Sequence, residues 1–354
     1  MTIPTEPIGS IPRPAQLLRA VEGHTAGRVS SEQLEKAYDE AVRDTLERFE
    51  ATGSPVITDG EQRKSSFATY PLEGLTALAP DGVVIPFKDG HTRQLPRLTK
   101  GPFRYAKYAA EYVRLAKPLA KRPLKQAVIS ASALSLLYPP DGINEYPREQ
   151  FIEDLIAEAA ADMRSALNAG ADCVQIDFTE GRLSLKLDPS GGLLKSFVDL
   201  NNQVLERFSS DERSRIGVHV CPGGDHDSTH SADVDYAGLL PSLFALNAGR
   251  FYLQLASEAD RPRVLRLIAK LLGGSQRVFV GVVDPISPQV ETPEQVRDRV
   301  LEAAAIVPLD RLGTTDDCGF SPFADDESTA RDVAFAKIRA RVEGTAMAAG
   351  QLGA

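Results

Sequence analysis

Residues 147–180 read PREQFIEDLIAEAAADMRSALNAGADCVQIDFTE, and this stretch predicts a long helix followed at once by a buried strand. Pro147 stands near the start of the helical segment and Gly170 just past its end, an asymmetry typical of α-helices. The run from Cys173 to Glu180 begins almost continuously apolar, as in a strand that is covered on both faces. The stretch therefore indicates one unit of a protein in which helices cover a parallel sheet.

The same unit, a short β-branched run joined to a longer helical segment, recurs along the chain. The runs lie at residues 7–14, 55–61, 126–132, 173–180, 215–221, 250–256, 277–283 and 311–319. Eight strands that alternate with helices predict an α/β protein, and specifically a single (β/α)8 TIM barrel. No glycine-rich phosphate loop follows the first run, which argues against an open dinucleotide-binding sheet.

One region departs from the pattern. Residues 76–112 fit neither a strand nor a crossover helix, so we interpret them as an insertion after the second strand, built as a small hairpin with a helix. Low-complexity tracts and short repeats are absent. We therefore predict one catalytic domain that spans residues 1–354.

Composition limits the classes of function. The chain has 354 residues and a net charge of −9, and no Lys/Arg run alternates with aromatic residues. Nucleic acid and anionic membrane surfaces are therefore poor partners. No apolar stretch has the length of a membrane span and the start lacks a signal pattern, so we expect a cytoplasmic protein. The sequence leaves the oligomeric state open, a homo-oligomer included.

Residues capable of chemistry gather where the runs end, which in a barrel is the catalytic end. They are Ser10, Asp59, Glu61, Asp177, Glu180, His219, Cys221, Asp284, Asp316, Asp317 and Cys318. This convergence from many runs predicts an active site at that end of the barrel.

The histidine and two of the cysteines predict a metal site. His219 and Cys221 have the same strand parity, so their side chains point the same way, and Cys318 ends the last run. Three protein ligands with one open position are typical of catalytic zinc. The alternative is a buried histidine with two inert thiols. We predict Zn²⁺ as the cofactor and interpret Cys173, at the opposite end of its strand, as a core residue.

The acidic residues supply candidates for acid–base chemistry. Asp177, Glu180 and Asp317 are the predicted proton donors, although Asp317 also suits a helix cap. Arg63 and Arg182 stand near the same end, either pairing those carboxylates or binding an anionic substrate tail.

Two further histidines lie in the stretch that follows Cys221. His226 and His230 stand in a Gly/Asp/Ser-rich segment without helical pattern. We interpret them as polar residues of a loop, such as a lid, rather than as metal ligands.

Five motifs resemble the catalytic barrel of the cobalamin-independent methionine synthases, and the likeness runs in order along essentially the whole chain. They are IGSIPRP (8–14), VITDGEQRKSSF (56–67), VQIDFTEG (174–181), GVHVCPGG (217–224) and LGTTDDCG (312–319). The resemblance implies a zinc ion held by His219, Cys221 and Cys318. It also implies that Ser10, Glu61 and Asp177 hold an amino-acid substrate.

Two departures from the family's pattern bear on the substrate. The resemblance implies a glutamate as fourth zinc ligand, where this chain has Gln254, with Glu258 nearby but out of register. The family stacks the pterin of its methyl donor on a tryptophan, and this chain has none.

The resemblance implies a zinc-dependent thiol S-alkyltransferase whose partners are a small thiol and a small methyl or alkyl donor. Methyl transfer from a methyltetrahydrofolate-type donor to homocysteine is the leading reading. The alternatives are an epoxyalkane–coenzyme M transferase, which uses a His-Cys-Cys zinc, and a zinc-free enzyme of the uroporphyrinogen decarboxylase type.

Overall fold

The computed structural model describes residues 2–354, in which helices and strands alternate over most of the chain. The α-helices are α1 (Ala15–Thr25), α2 (Ser31–Ala51), α3 (Ala110–Ala116), α4 (Ala131–Ser135), α5 (Arg148–Asn168), α6 (Glu180–Leu187), α7 (Gly192–Leu205), α8 (Ser210–Arg213), α9 (Tyr236–Leu243), α10 (Arg261–Leu271), α11 (Pro293–Ala304) and α12 (Arg331–Leu352). The strands are β1 (Leu78–Ala79), β2 (Val84–Pro86), β3 (Thr92–Gln94), β4 (Arg97–Leu98), β5 (Lys125–Ile129), β6 (Cys173–Asp177), β7 (Ile216–Val220), β8 (Gly224–Asp225), β9 (Ser228–Thr229), β10 (Arg250–Leu253), β11 (Arg277–Val283) and β12 (Leu312–Asp316).

A six-stranded parallel sheet forms the centre, in the order β12-β11-β10-β7-β6-β5. Its strands are buried almost throughout, because helices cover the face that the apolar runs present. Asp177 in β6 lies opposite His219 in β7, so both side chains stand at the same level near the carboxyl end of the sheet. The prediction of an α/β protein with a parallel sheet is confirmed.

The prediction of regular strands in the first two runs is wrong. The run at 7–14 contains no strand, and the chain just before it reaches β12 through a single bridge from Thr5 to Thr314. The second run reaches β5 through a single bridge from Ile57 to Leu124. Prolines at positions 4, 7, 12 and 14 remove the N–H donors that a ladder needs in the first segment. The two segments nevertheless meet each other, since the Ile11 N–H donates to the carbonyl of Gly60 at 3.0 Å.

The segment interpreted as an insertion contains two small antiparallel ribbons, β1 paired with β4 and β2 paired with β3. Helix α3 follows them. The assignment of residues 1–354 to one catalytic domain stays a prediction.

Aromatic rings fill the sheet interior beneath the site. The rings of Tyr252 and Phe279 stack with centroids 4.8 Å apart, and Ile8 packs with them. Gly217 and Gly313 leave the room for these rings, because a Cβ at Gly313 would lie 2.5 Å from the Phe279 ring. This packing supports the strand ends that carry the polar residues.

Within residues 2–354, no helix combines the length and the apolar character that crossing a membrane requires.

Candidate active site

His219, Cys221 and Cys318 converge as the sequence predicts. His219 belongs to β7, Cys221 follows that strand directly, and Cys318 follows β12. One ligand atom from each lies within 4.8 Å of the others, and the two sulfur atoms are 3.1 Å apart. All three side chains are buried. A nitrogen and two sulfurs at this spacing can share one ion.

The local hydrogen bonding fits a metal. The Nδ1 of His219 lies 3.3 Å from the carbonyl oxygen of Tyr252, which favours the tautomer that carries its proton on Nδ1. The Nε2 of His219 is then a lone-pair donor, and it is buried without a hydrogen-bond partner. A buried nitrogen without a hydrogen-bond partner is costly unless another group, such as a metal ion, binds it. One imidazole and two sulfurs suit zinc with an open position.

The two thiols are electrostatically unequal. The hydrogen bond between the sulfurs lowers the pKa of Cys318 well below its usual range and raises the pKa of Cys221. One sulfur of the pair is therefore readily available as a thiolate, the form in which cysteine binds metal.

A cavity of about 690 Å³ opens beside this cluster. The polar residues of its wall that the sequence singles out are Ser10, Glu61, Asp177, Glu180, His219 and Cys318. These residues come from five separate segments of the chain. The structure thus brings together the predicted metal ligands and most of the predicted substrate-binding acids.

Glu61 stands in a strained position on the cavity wall. Its backbone has φ 58°, in the left-handed region that non-glycine residues rarely adopt, and its N–H donates to Asp59 Oδ1 at 2.9 Å. Its Oε1 accepts from Lys64 Nζ at 3.2 Å, whereas its Oε2 is buried without a partner. The carboxylate therefore has an acceptor free for a ligand.

Asp177 and Glu180 are buried neighbours on the same wall. Asp177 Oδ1 accepts from Gln175 Nε2 at 2.7 Å, and burial raises the pKa of Asp177 to about 6. The hydroxyls of Ser130 and Ser132 donate to Glu180 Oε1, whereas Glu180 Oε2 is buried without a partner. Burial raises the pKa of Glu180 to about 7, so this carboxyl can hold or release a proton near neutral pH.

Asp317, the third predicted proton donor, lies outside the lining of the cavity. Its two oxygens accept from the backbone N–H groups of Leu255, Ala256 and Ser257 and from the Ser257 hydroxyl, all at 2.8 Å. These four bonds occupy the carboxylate and shape the loop after β10. The N–H groups belong to the loop between β10 and α10 and not to a helix, so these contacts match neither a helix cap nor a side chain that faces the cavity.

Arg182 and Gln254 bind each other and also lie outside the cavity lining. Arg182 Nη1 donates to Gln254 Oε1 at 2.6 Å and to Glu258 Oε1 at 3.1 Å. Gln254 Nε2 donates to Ser257 Oγ at 2.6 Å. The side-chain oxygen of Gln254 is thus engaged by a guanidinium.

Arg63 points away from the cavity. Its guanidinium pairs with Glu35 and Asp39 of α2, each at 2.8 Å. The structure therefore does not bring Arg63 together with the other predicted substrate-binding residues.

The outer wall of the cavity contains residues that the sequence does not single out as site residues, contributed by the insertion, by the loop that precedes it and by the loops after β7 and β12. Phe67, Phe87, Arg93 and Phe323 are among them. His230, interpreted as a loop residue, is buried on the same wall, and burial lowers its pKa to about 4. No local pattern marks these positions, because only the fold brings their segments together.

Comparison with known proteins agrees with this geometry. A family described as the catalytic domain of cobalamin-independent synthase matches residues 3–340. The chain is similar to the methionine synthase of Sulfurisphaera tokodaii, with 25% identity over 97% of this chain and 91% of that protein. It is also similar to the methionine synthase of Saccharolobus solfataricus, with 24% identity over 97% of this chain and 94% of that protein.

The fold matches a solved structure, the B12-independent methionine synthase of Shewanella sp. W3-18-1 in complex with selenomethionine. The TM-score is 0.78 at 20% identity, over 99% of both chains. This likeness concerns the fold, and the family match extends over nearly the whole sequence. The chain belongs to the family of cobalamin-independent methionine synthase catalytic domains.

Proposed function

We propose that the protein is a zinc-dependent methyltransferase that transfers a methyl group to the sulfur of homocysteine. The proposal includes a single (β/α)8 barrel with an insertion after its second segment. The observation that carries it is one cavity in which a His/Cys/Cys cluster lies beside carboxylates with unpartnered oxygens. Such a cavity suits a substrate with a thiol at one end and an ammonium group at the other.

The metal ligands act on the thiol end. A zinc ion held by His219, Cys221 and Cys318 would lower the pKa of a thiol and so supply a nucleophilic sulfur at neutral pH. The Tyr252 carbonyl oxygen orients the imidazole through Nδ1. Cys318 and His219 both line the cavity, so the open side of the cluster faces the space available to a substrate.

The carboxylates act on the ammonium end. The free oxygen of Glu61 and the buried carboxyl of Asp177 suit charge-assisted hydrogen bonds from an ammonium group. Coenzyme M has no ammonium group, and its sulfonate would face these carboxylates as an anion. Arg63 and Arg182 are both paired elsewhere. The charge of the wall therefore supports homocysteine over the epoxyalkane–coenzyme M alternative.

Glu180 is the residue we propose as proton donor. As sulfur attacks the methyl carbon, the carbon–nitrogen bond of the donor breaks and the amine nitrogen must take up a proton. Glu180 lines the cavity, has a pKa of about 7, and has Oε2 free to carry that proton. The serine hydroxyls on Oε1 hold the carboxyl in place.

We propose a methyltetrahydrofolate-type donor in the outer part of the cavity. Aromatic surface there comes from phenylalanine, since the chain has no tryptophan. Phe67 and Phe323 pack edge to face with centroids 5.5 Å apart and both line the cavity. An apolar wall of this kind suits a flat ring more than a charged tail.

The test combines metal analysis with a thiol panel. We expect about one zinc ion per chain, with homocysteine methylated in preference to coenzyme M and glutathione, and with methylfolate used in preference to epoxypropane. Faster alkylation of coenzyme M by epoxypropane would overturn the substrate assignment. Absence of zinc would overturn the mechanism and favour a zinc-free enzyme.

A carboxylate variant sharpens this test. Glu61→Gln should raise the KM for homocysteine at least about tenfold, because it weakens a charge-assisted hydrogen bond. Glu35→Gln is the matched control, since Glu35 is exposed and pairs only with the outward-facing Arg63. An unchanged KM in Glu61→Gln would contradict the assigned ammonium site.

A further inference from the structure

Arg93 lies in strand β3 of the insertion and reaches two distant loops. Its Nε and Nη2 bind the two oxygens of Asp225 at 2.5 and 3.0 Å. Its Nη1 and Nη2 bind the two oxygens of Asp325, each at 2.9 Å. One guanidinium thus makes two bidentate pairs, the strongest geometry for an arginine–carboxylate interaction.

Each of the two carboxylates follows one of the cysteines of the metal cluster. Asp225 lies in β8, a few residues after Cys221, and Asp325 lies in the loop that begins at Cys318. The parent strands β7 and β12 are not neighbours, because β10 and β11 stand between them. Hydrogen bonds of the central sheet therefore do not tie the two loops directly to each other, although the sulfurs must converge to 3.1 Å.

The half of the contact that involves Asp225 is shielded on several sides. The side chain of Asp225 is fully buried and that of Arg93 is 23% exposed. The guanidinium carbon lies 4.0 Å from the centroid of the Phe323 ring. His91 Nε2 also approaches Asp225 Oδ2, at 3.1 Å. This sheltered half holds its geometry better than an exposed pair does, whereas the side chain of Asp325 is 66% exposed and its half depends on the bidentate geometry.

We propose that Arg93 is a positioning residue that clamps the two cysteine-bearing loops together, so that the insertion organises the metal site from outside. This inference rests on the zinc site of the proposed function. Without the clamp, both sulfurs are still present, but Arg93 no longer joins the loops that carry them. The three ligands are then less ordered before an ion binds. Ligand disorder lowers metal affinity, as the loss of other outer-sphere partners does.

Arg93→Gln tests the clamp without touching a ligand. We expect its zinc affinity to fall about 10- to 100-fold, measured by competition with a chromophoric chelator. In the cobalt-substituted protein, the visible absorption bands of the thiolate-bound ion should shift or broaden. Arg97→Gln is the matched control, because Arg97 lies in β4 of the same insertion and pairs only with Asp81. Its zinc affinity should stay within about twofold of the parent.

A second variant keeps the test decisive if Arg93→Gln folds poorly. Asp325→Asn alters an exposed carboxylate and removes half of the clamp. Its affinity should fall in the same direction, and the double variant should be no weaker than Arg93→Gln alone, since the two residues act through one contact. If the zinc affinity and the cobalt spectrum are unchanged in both single variants, the proposed clamp is wrong. A parent protein that binds no zinc would instead overturn the proposed function.

Discussion

At the scale of single residues, the sulfur atoms of Cys221 and Cys318 are two of the three proposed zinc ligands. Cys221→Ser and Cys318→Ser should each lower zinc affinity at least about 100-fold, because a hydroxyl is a much poorer zinc ligand than a thiolate. Zinc content after dialysis checks this result. Cys173→Ser is the control, since that buried thiol lies 3.5 Å from the Tyr252 hydroxyl and outside the cluster. Full zinc content in both ligand variants would contradict the assignment.

Glu180 links the site to the pH dependence of stability. Burial raises its pKa from 4.5 to about 7, so the folded state favours the protonated carboxyl. The stabilisation from this proton is complete below pH 4.5 and is lost as the pH rises through 7. The shift corresponds to about 3 kcal/mol in the free energy of unfolding.

Glu180→Gln should remove that dependence. Between pH 5 and pH 8, the drop in the free energy of unfolding should be about 2 to 3 kcal/mol smaller in the variant than in the parent. Urea unfolding at the two pH values measures both drops under the same metal conditions. Equal drops in the two proteins would show that Glu180 ionises normally in the folded state.

At the scale of elements, the interior of the sheet depends on glycines in its strands. Gly313→Ala in β12 should lower the free energy of unfolding by about 1 to 3 kcal/mol, because the new methyl group overlaps the buried Phe279 ring. Gly350→Ala in α12 is the control, since a Cβ there meets nothing within 4 Å. That variant should gain up to about 1 kcal/mol from helix propensity. The midpoints of urea unfolding measure the stability of both variants. A Gly313→Ala variant that is as stable as the parent would contradict this packing.

The elements also show where sequence patterns succeed. Helix α5 begins and ends as its pattern predicts, with Pro147 directly before Arg148 and Gly170 just after Asn168, because helix ends depend on residues close in sequence. The first two strands fail, because a strand depends on partners elsewhere and prolines interrupt the first segment. The small ribbons of the insertion are too short to produce an alternating pattern.

At the scale of the whole molecule, the charges around the cavity predict how a donor is recognised. The cavity lining contains one arginine, Arg93, and one lysine, Lys186, and both are paired with aspartates. A folate tail would have to displace these aspartates before either side chain could bind its carboxylates. The KM for triglutamyl methylfolate should therefore stay within about threefold of the KM for the monoglutamate. A preference of tenfold or more for the triglutamate in steady-state assays would contradict this view of the cavity.

The sequence by itself determined the alternation of helices and strands and the residues of the His/Cys/Cys cluster. His219 and Cys221 are identifiable because strand parity directs both side chains to one side, and Cys318 because it ends another strand. Such features depend on the alternation of side chains along a strand, which can be predicted from residues close in sequence.

Only the tertiary structure decided which charged residues reach the cavity. Asp317 and Glu180 look alike in sequence, yet four donors occupy the first and one oxygen of the second stays free. Arg182 donates a hydrogen bond to Gln254, and Arg93 joins two loops that are far apart in the chain. The physical reason is that a charged side chain acts through the partners around it, and those partners come from segments that only folding brings together.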